Sequence, residues 1–141
     1  MTDVGSGESH ADSYWTLDAA GGRHVFIGDV VLHGVHAYVS DGHTTPWLNT
    51  LQRLHTDLSG VKTVYPGHGG AGGLDLLDWE SGYLKAYRAE VDRLREGGKQ
   101  LSDADKAALI GRMKALYPQA GLQFLIGRGA DAVASELNSV Q

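Results

Sequence analysis

Short apolar runs separated by glycine-rich turns fill the first half of the chain, whereas helical spacing dominates from residue 74 onward. Residues 12–17 are rich in strand formers, and the Asp-Ala-Ala-Gly-Gly segment at 18–22 predicts a hairpin turn after them. Residues 24–27 predict a short buried strand that stops at Gly28 and Asp29. Residues 61–65 predict another strand, which runs into the Pro-Gly-His-Gly-Gly segment at 66–70.

A helix is predicted between these last two strands. Thr45 offers a hydroxyl as N-cap, Pro46 suits the first helical position, and Ser59-Gly60 ends the helix. One apolar stripe follows at spacings of four, three and four residues: Trp47, Leu51, Leu54 and Leu58. Strand, helix and strand in this order predict a βαβ unit with parallel strands whose carboxyl ends share one edge of the sheet. Ligands bind at such edges in open α/β sheets, and Asp29 and His68 both fall there.

Three further helices are predicted in the second half. The first carries an apolar stripe from Leu77 to Leu94, and the second begins at Ser102, whose cap partner is Asp105. The apolar face of the second helix is predicted at Ile110, Met113 and Leu116, and a short last helix at 130–137. The sequence pattern does not decide the secondary structure of two segments. Residues 30–40 are a loop or a short helix, and residues 122–126 are an apolar run of uncertain type.

Composition narrows the classes of function. The 141 residues suit one domain, and the net charge of −5 without a basic block argues against nucleic acid as a partner. The chain has no cysteine, so any metal must be bound through nitrogen and oxygen. The longest clean apolar run, 30–32, is far short of a membrane span, and residues 1–10 lack signal-peptide character. We therefore expect a cytoplasmic protein without membrane contact.

The candidate chemistry lies in three glycine-flanked turns beside strands, which carry His10, Asp29 and His68. Two imidazoles and a carboxylate are a suitable ligand set for zinc or a similar divalent ion. The alternative is structural: a hydrogen-bonded turn for His68, a cap for Asp29 and an exposed position near the terminus for His10.

Of the other five histidines, two have a structural explanation and three have two possible interpretations. His24 lies inside a strand and His55 on the polar face of a helix, where ordinary packing explains them. His33, His36 and His43 either line a site or belong to the ordinary surface, because their segment has no regular pattern.

Three segments of the chain resemble the metallo-β-lactamase-fold hydrolases over residues 4–95. The matching motifs are Gly-Glu-Ser-His ending at His10, Gly-Asp ending at Asp29, and Pro-Gly-His-Gly around His68. The resemblance implies an α/β fold, namely half of a metallo-β-lactamase-type αββα sandwich. It also implies a zinc-dependent hydrolase in which a hydroxide bridging two metal ions attacks an ester, lactone, amide, thioester or phosphoester of a small-molecule substrate.

The resemblance also implies roles for single residues. His10 would bind the first metal ion, Asp29 would bridge both, and His68 would bind the second. His36 and His43 lie where such enzymes have loops over the site, so the resemblance makes them candidate substrate contacts. The cofactor expected is Zn²⁺, as one or two ions, with another divalent metal as the alternative.

The chain departs from this family in one respect: it has no His-x-His-x-Asp-His motif. Residues 1–97 therefore correspond to the carboxyl-terminal half of the domain, and residues 98–141 to a helical extension on the same core. A half-sandwich leaves one sheet face uncovered, which predicts either a homo-oligomer or a complementing amino-terminal half. The alternative function is a non-catalytic remnant or interaction module that oligomerises through that face.

Overall fold

The described part of the chain folds as an α/β protein with four strands and four α-helices. The computed structural model describes residues 1–139, so the end of the predicted extension, 140–141, lies outside the described residues. The strands are β1 (Thr2–Gly5), β2 (Asp12–Ala19), β3 (Gly22–Leu32) and β4 (Thr63–His68). The helices are α1 (Thr44–Asp57), α2 (Asp75–Arg95), α3 (Asp103–Leu116) and α4 (Ala130–Ser139). Within the described part, none of these helices combines the length and apolar character needed to cross a membrane.

The four strands form one mixed sheet in the order β1-β2-β3-β4. β1 pairs with β2 and β2 with β3 in antiparallel fashion, the second pair through a tight hairpin that sets Ala19 opposite Gly22. β3 and β4 are parallel, as the crossover through α1 requires. The predicted hairpin and βαβ unit are both confirmed.

The prediction that β3 stops at Gly28 and Asp29 is wrong, because the strand continues to Leu32. Its parallel pairing with β4 continues beyond the glycine: Gly28 lies opposite Pro66 and Leu32 opposite His68, with register shifts on both sides of Gly28. Gly28 adopts a φ of +59°, a conformation that glycine accepts readily at such an irregularity. The glycine that predicts an end therefore marks a bulge inside a longer strand.

The two faces of the sheet differ in burial. Val25, Ile27 and Val64 are fully buried, whereas the alternate positions Phe26 and Tyr65 are exposed. Helix α1 contributes the predicted apolar stripe to the core, with Trp47, Leu51, Leu54 and Leu58 all buried. The indole nitrogen of Trp47 donates a hydrogen bond of 2.9 Å to the carbonyl of Val30, which ties α1 to β3.

The described chain forms two compact units. Unit 1 contains Met1–His33 and Thr45–Gly82, which include the whole sheet and nearly all of α1. Unit 2 contains Gly34–Thr44 and the chain from Tyr83 onward. Helix α2 contributes its first two turns to unit 1 and the remainder to unit 2. The domain boundary predicted at residue 97 stays a prediction.

In unit 2, the start of α3 agrees with the sequence and its buried face differs. The hydroxyl of Ser102 accepts a hydrogen bond from the backbone nitrogen of Asp105, which confirms the predicted cap. The buried positions are Leu109 and Met113, whereas Leu116 is 54% exposed. The predicted apolar face is therefore confirmed at Met113 and is wrong at Leu116, which is the last residue of the helix. Residues 123–125 form a single 3-10 turn, and α4 includes the predicted last helix.

Candidate metal-binding site

Asp29 lies beside the bulge of β3, three residues before that strand ends, and it approaches His68, the last residue of the parallel strand β4. The distance between Asp29 Oδ1 and His68 Nε2 is 3.9 Å, and both side chains are about half exposed. This separation is too long for a hydrogen bond. It falls within the roughly 4.2 Å that two ligand bonds of about 2.1 Å to one ion allow. The juxtaposition predicted from the βαβ unit is therefore observed.

Two glycines permit this close approach of the strands. A Cβ atom at Gly67 would overlap Asp29 Oδ1 and would lie 2.8 Å from the backbone nitrogen of Asp29. Gly69 adopts a φ of +94°, and a Cβ atom there would overlap the carbonyl oxygen of His33. The backbone nitrogen of His33 donates a hydrogen bond of 3.0 Å to the carbonyl of His68. The glycine-flanked pattern around His68 therefore has a steric cause: larger residues would displace the Asp29 carboxylate.

His10 lies in the turn between β1 and β2, and the carboxylate of Asp12 organises this turn. Asp12 Oδ2 accepts hydrogen bonds from the backbone nitrogens of Gly7 and Ser9, at 3.1 and 2.9 Å. The His10 residue itself is exposed. Among the described residues of unit 1, no third histidine or carboxylate atom lies within 4.8 Å of both members of the Asp29–His68 pair. The ligand role of His10 stays a prediction.

Glu80 of α2 is a buried carboxyl group close to this pair that the sequence interpretation missed. Its Oε2 accepts a hydrogen bond of 3.1 Å from the backbone nitrogen of Leu32, and its Oε1 has no hydrogen-bond partner. Burial raises the pKa of Glu80 to about 8, and the negative charge of Asp29 adds to the increase. Glu80 is therefore predominantly protonated at neutral pH and fastens the end of β3 to α2.

The remaining histidines of unit 1 have local structural explanations. The ring of His33 meets the ring of Trp79 edge-on, with centroids 5.3 Å apart. His55 Nε2 lies 3.3 Å from a carboxylate oxygen of Asp78 on the protein surface. His24 packs beside Tyr65, at 6.2 Å between ring centroids. The structural interpretation of His24 and His55 agrees with these contacts.

The two candidate substrate contacts belong to unit 2. His36 is fully buried, its Nδ1 lies 3.1 Å from the hydroxyl of Tyr83, and its Nε2 has no hydrogen-bond partner. Burial lowers the pKa of His36, and the positive charge of Lys114 lowers it further. His43 is half-buried, and it and Asp41 bring ligand atoms within 4.8 Å of one another. Substrate contact by His36 and His43 stays a prediction, and for His36 it would require an opening in unit 2.

The donor types of the Asp29–His68 pair suit zinc, which binds imidazole nitrogen and carboxylate oxygen. The pair supplies two of the four positions that zinc ordinarily fills, so other ligands must come from elsewhere. Neither a scan against protein-family models nor a search of curated proteins returned a match for this chain.

Proposed function

We propose that this chain is the carboxyl-terminal half of a metallo-β-lactamase-type αββα hydrolase that acts on a small-molecule substrate. The observation that carries the proposal is the Asp29–His68 pair, whose side-chain atoms lie 3.9 Å apart between the bulge of β3 and the last residue of the parallel strand β4. The proposal is supported because the two residues of this pair belong to the two most specific motifs, Gly-Asp and Pro-Gly-His-Gly. The proposed cofactor is one or two zinc ions.

The pair suits metal binding better than a purely structural role. A structural histidine–aspartate contact would close to hydrogen-bond distance, whereas these side chains stay apart and half exposed. The steric requirement for Gly67 keeps the Asp29 carboxylate directed across β4 toward His68. When bound, zinc lowers the pKa of a coordinated water toward 7 and polarises the bond to be cleaved. Asp29 would offer an oxygen ligand and His68 its neutral Nε2.

Glu80 would act as a positioning residue for this site. Its hydrogen bond to the Leu32 nitrogen fixes the end of β3, three residues beyond Asp29. Because its carboxyl group is protonated near neutral pH, it adds little negative charge beside the ligands. Cleavage of an ester, lactone, amide or similar bond would further require the missing His-x-His-x-Asp-His ligands, so the proposed activity depends on a complementing half.

Zinc titration of the 141-residue chain against a chromogenic chelator tests the proposal. We expect weak binding, reduced at least tenfold in Asp29→Ala and His68→Ala, because each removes half of the donor pair. Gly67→Ala should lower the affinity similarly by displacing the Asp29 carboxylate. The matched control is Gly70→Ala, where a Cβ atom would have no neighbour within 4 Å. Absence of zinc binding, or equal affinity in His68→Ala, would contradict the proposal.

A second candidate function is a non-catalytic interaction module. The specific observation in its favour is the exposed row of aromatic side chains Trp15, Phe26 and Tyr65 on one face of the sheet. This function needs no metal, and it predicts a partner bound to that face whether or not zinc is present.

A further inference from the structure

The chain contains one Asp-Gly pair, Asp41 followed by Gly42, and no Asn-Gly pair. The pair lies in unit 2, in a turn that the backbone nitrogen of Gly42 closes with a hydrogen bond of 3.3 Å to the carbonyl of Val39. In such a pair the backbone nitrogen after the aspartate can attack the side-chain carboxyl carbon, because glycine places no Cβ atom beside that nitrogen.

Both reacting groups of this pair are accessible and loosely held. Asp41 is exposed, and its Oδ1 accepts a hydrogen bond of 3.5 Å from the hydroxyl of Tyr38. This bond and the 3.3 Å bond from the Gly42 nitrogen are both longer than typical hydrogen bonds, so each restrains its group weakly. Gly42 adopts a φ of +69°, a conformation that favours glycine, so the turn itself requires the residue that hinders attack least.

Another exposed aspartate lacks these two features. Asp18 has a side chain that is 74% exposed, and it precedes Ala19, whose Cβ atom crowds the attacking nitrogen. The carboxylate of Asp18 also accepts a hydrogen bond of 2.9 Å from Arg23. Exposure alone therefore does not distinguish Asp41, whereas the glycine after it and its weak hydrogen bond do.

We propose that Asp41 isomerises to isoaspartate in the folded protein, without an enzyme, through a cyclic imide formed with Gly42. The Gly42 nitrogen bonds to Asp41 Cγ and gives up its proton, and the protonated carboxyl group loses one oxygen as water. A water molecule then opens the imide. Attack at Cγ restores aspartate, whereas attack at the main-chain carbonyl carbon breaks its bond to the Gly42 nitrogen. The chain then runs through Cβ and Cγ of residue 41, with no net change in composition or oxidation state.

The isomerised backbone is longer by one methylene group, at a point where the turn packs closely on α4. A Cβ atom at Gly42 would lie 3.1 Å from the carbonyl oxygen of Ala132, so the turn has little free space there. Two residues further on, the backbone nitrogen and the hydroxyl of the buried Thr44 donate hydrogen bonds of 3.0 and 2.7 Å to Glu136 Oε2. A longer backbone displaces these donors from a largely buried carboxylate, so isoaspartate should destabilise unit 2. This inference depends on neither proposed function.

Incubation of the 141-residue chain for weeks at physiological temperature and neutral pH tests the proposal. Peptide mass spectrometry with electron-based fragmentation locates isoaspartate, and labelling by an isoaspartyl methyltransferase measures its amount. We expect isoaspartate to accumulate at residue 41, whereas Asp18 in the same sample should stay unmodified. Asp41→Glu should abolish the reaction, because glutamate would have to close a larger imide ring. Asp41→Asn should react faster than the wild type, because a neutral amide is attacked more readily than a carboxylate.

Isoaspartate that forms equally at Asp18, or that appears only after the chain is unfolded in urea, overturns the proposal. An Asp41→Asn variant that stays intact while folded overturns it too, because the turn would then block the attack. Circular dichroism establishes that each variant is folded.

The structural consequence has its own measurement. Urea unfolding of the incubated wild type should reveal a second, less stable population, whereas incubated Asp41→Glu should unfold like the fresh variant. Incubated wild type that contains isoaspartate and unfolds like fresh protein overturns the displacement of Thr44.

Discussion

Glu80 places a carboxyl group inside unit 1 at the apolar stripe of helix α2. It follows Leu77 by three residues and precedes Leu84 by four, and both leucines are fully buried. This spacing was the available signal, because a carboxylate on an apolar stripe has to be buried. Burial also explains why the Glu80 carboxyl group keeps its proton. An ionised carboxylate at this depth would lose its hydration and would lie close to the negative charge of Asp29.

Titration of Glu80 should remove part of the wild type's stability as the pH rises from about 4.5 to about 8. The unfolded chain releases the Glu80 proton near 4.5, whereas the folded chain retains it to about 8. In this window the unfolding equilibrium constant should rise by up to roughly tenfold per pH unit from this group. Urea unfolding at several pH values measures it, and Glu80→Gln should flatten the decline. Glu96→Gln, the same substitution at an exposed position directly after helix α2, should decline like the wild type. An unchanged decline in Glu80→Gln would contradict the assignment.

At the scale of single elements, local patterns predict most helices and strands, and long-range pairing decides the rest. The four-residue stripe of α1 and the hairpin between β2 and β3 are confirmed, because both depend on neighbours in the sequence. The continuation of β3 past Gly28 depends on β4, and thirty residues separate the end of β3 from the start of β4. Local propensity carries no information about such a partner.

The contacts of the candidate site can likewise be predicted only in part from the sequence. The sequence predicts that Asp29 and His68 lie on two parallel strands joined by one helix, but their 3.9 Å separation also involves the bulge at Gly28, because β3 continues past Asp29. The position of His10 depends on the turn that Asp12 organises, and the burial of His36 depends on Tyr83, 47 residues away. These contacts arise from tertiary packing, which the local sequence pattern does not encode.

The cap of α3 can be tested at this scale. Ser102→Ala removes the hydroxyl that accepts a hydrogen bond of 3.2 Å from the Asp105 nitrogen. We expect a loss of about 1 kcal/mol in the free energy of unfolding, because one donor at the helix start becomes unpaired. Ser102→Thr keeps the hydroxyl and should lose much less. Urea denaturation compares the three proteins; equal stability of Ser102→Ala and the wild type would argue against the cap.

Across the described residues, each of the two units buries at least one titratable group whose pKa is displaced. Glu80 lies in unit 1 with a raised pKa, and His36 lies in unit 2 with a lowered one. Both shifts have burial as their largest cause, and in each case the charged form is disfavoured. The contribution of Glu80 to stability is lost as the pH rises, whereas the contribution of His36 is lost as the pH falls.

Acid sensitivity should therefore come from His36. The unfolded chain takes up a proton near pH 6.5, whereas the buried ring resists protonation, so its contribution to stability is present above 6.5 and lost as the pH falls. The hydroxyl of Tyr83 lies beside the ring and the charge of Lys114 acts on it, and neither group is negatively charged at neutral pH. His36→Asn should reduce this loss in denaturation curves recorded at about pH 5 and about pH 7. An identical loss in the variant would exclude His36 as its source.

The tight hairpin between β2 and β3 also bears on the order of folding. Its strands are joined across two residues, so they can pair on the microsecond scale at which short loops close. Parallel pairing of β3 with β4 must wait for closure of the thirty-residue segment 33–62 and has the higher contact order. We therefore expect the aromatic pair of Trp15 and Phe26 to form early and the Asp29–His68 pair late. A nascent or partly unfolded chain would thus pair its exposed aromatic side chains before the Asp29 carboxylate and the His68 imidazole come together.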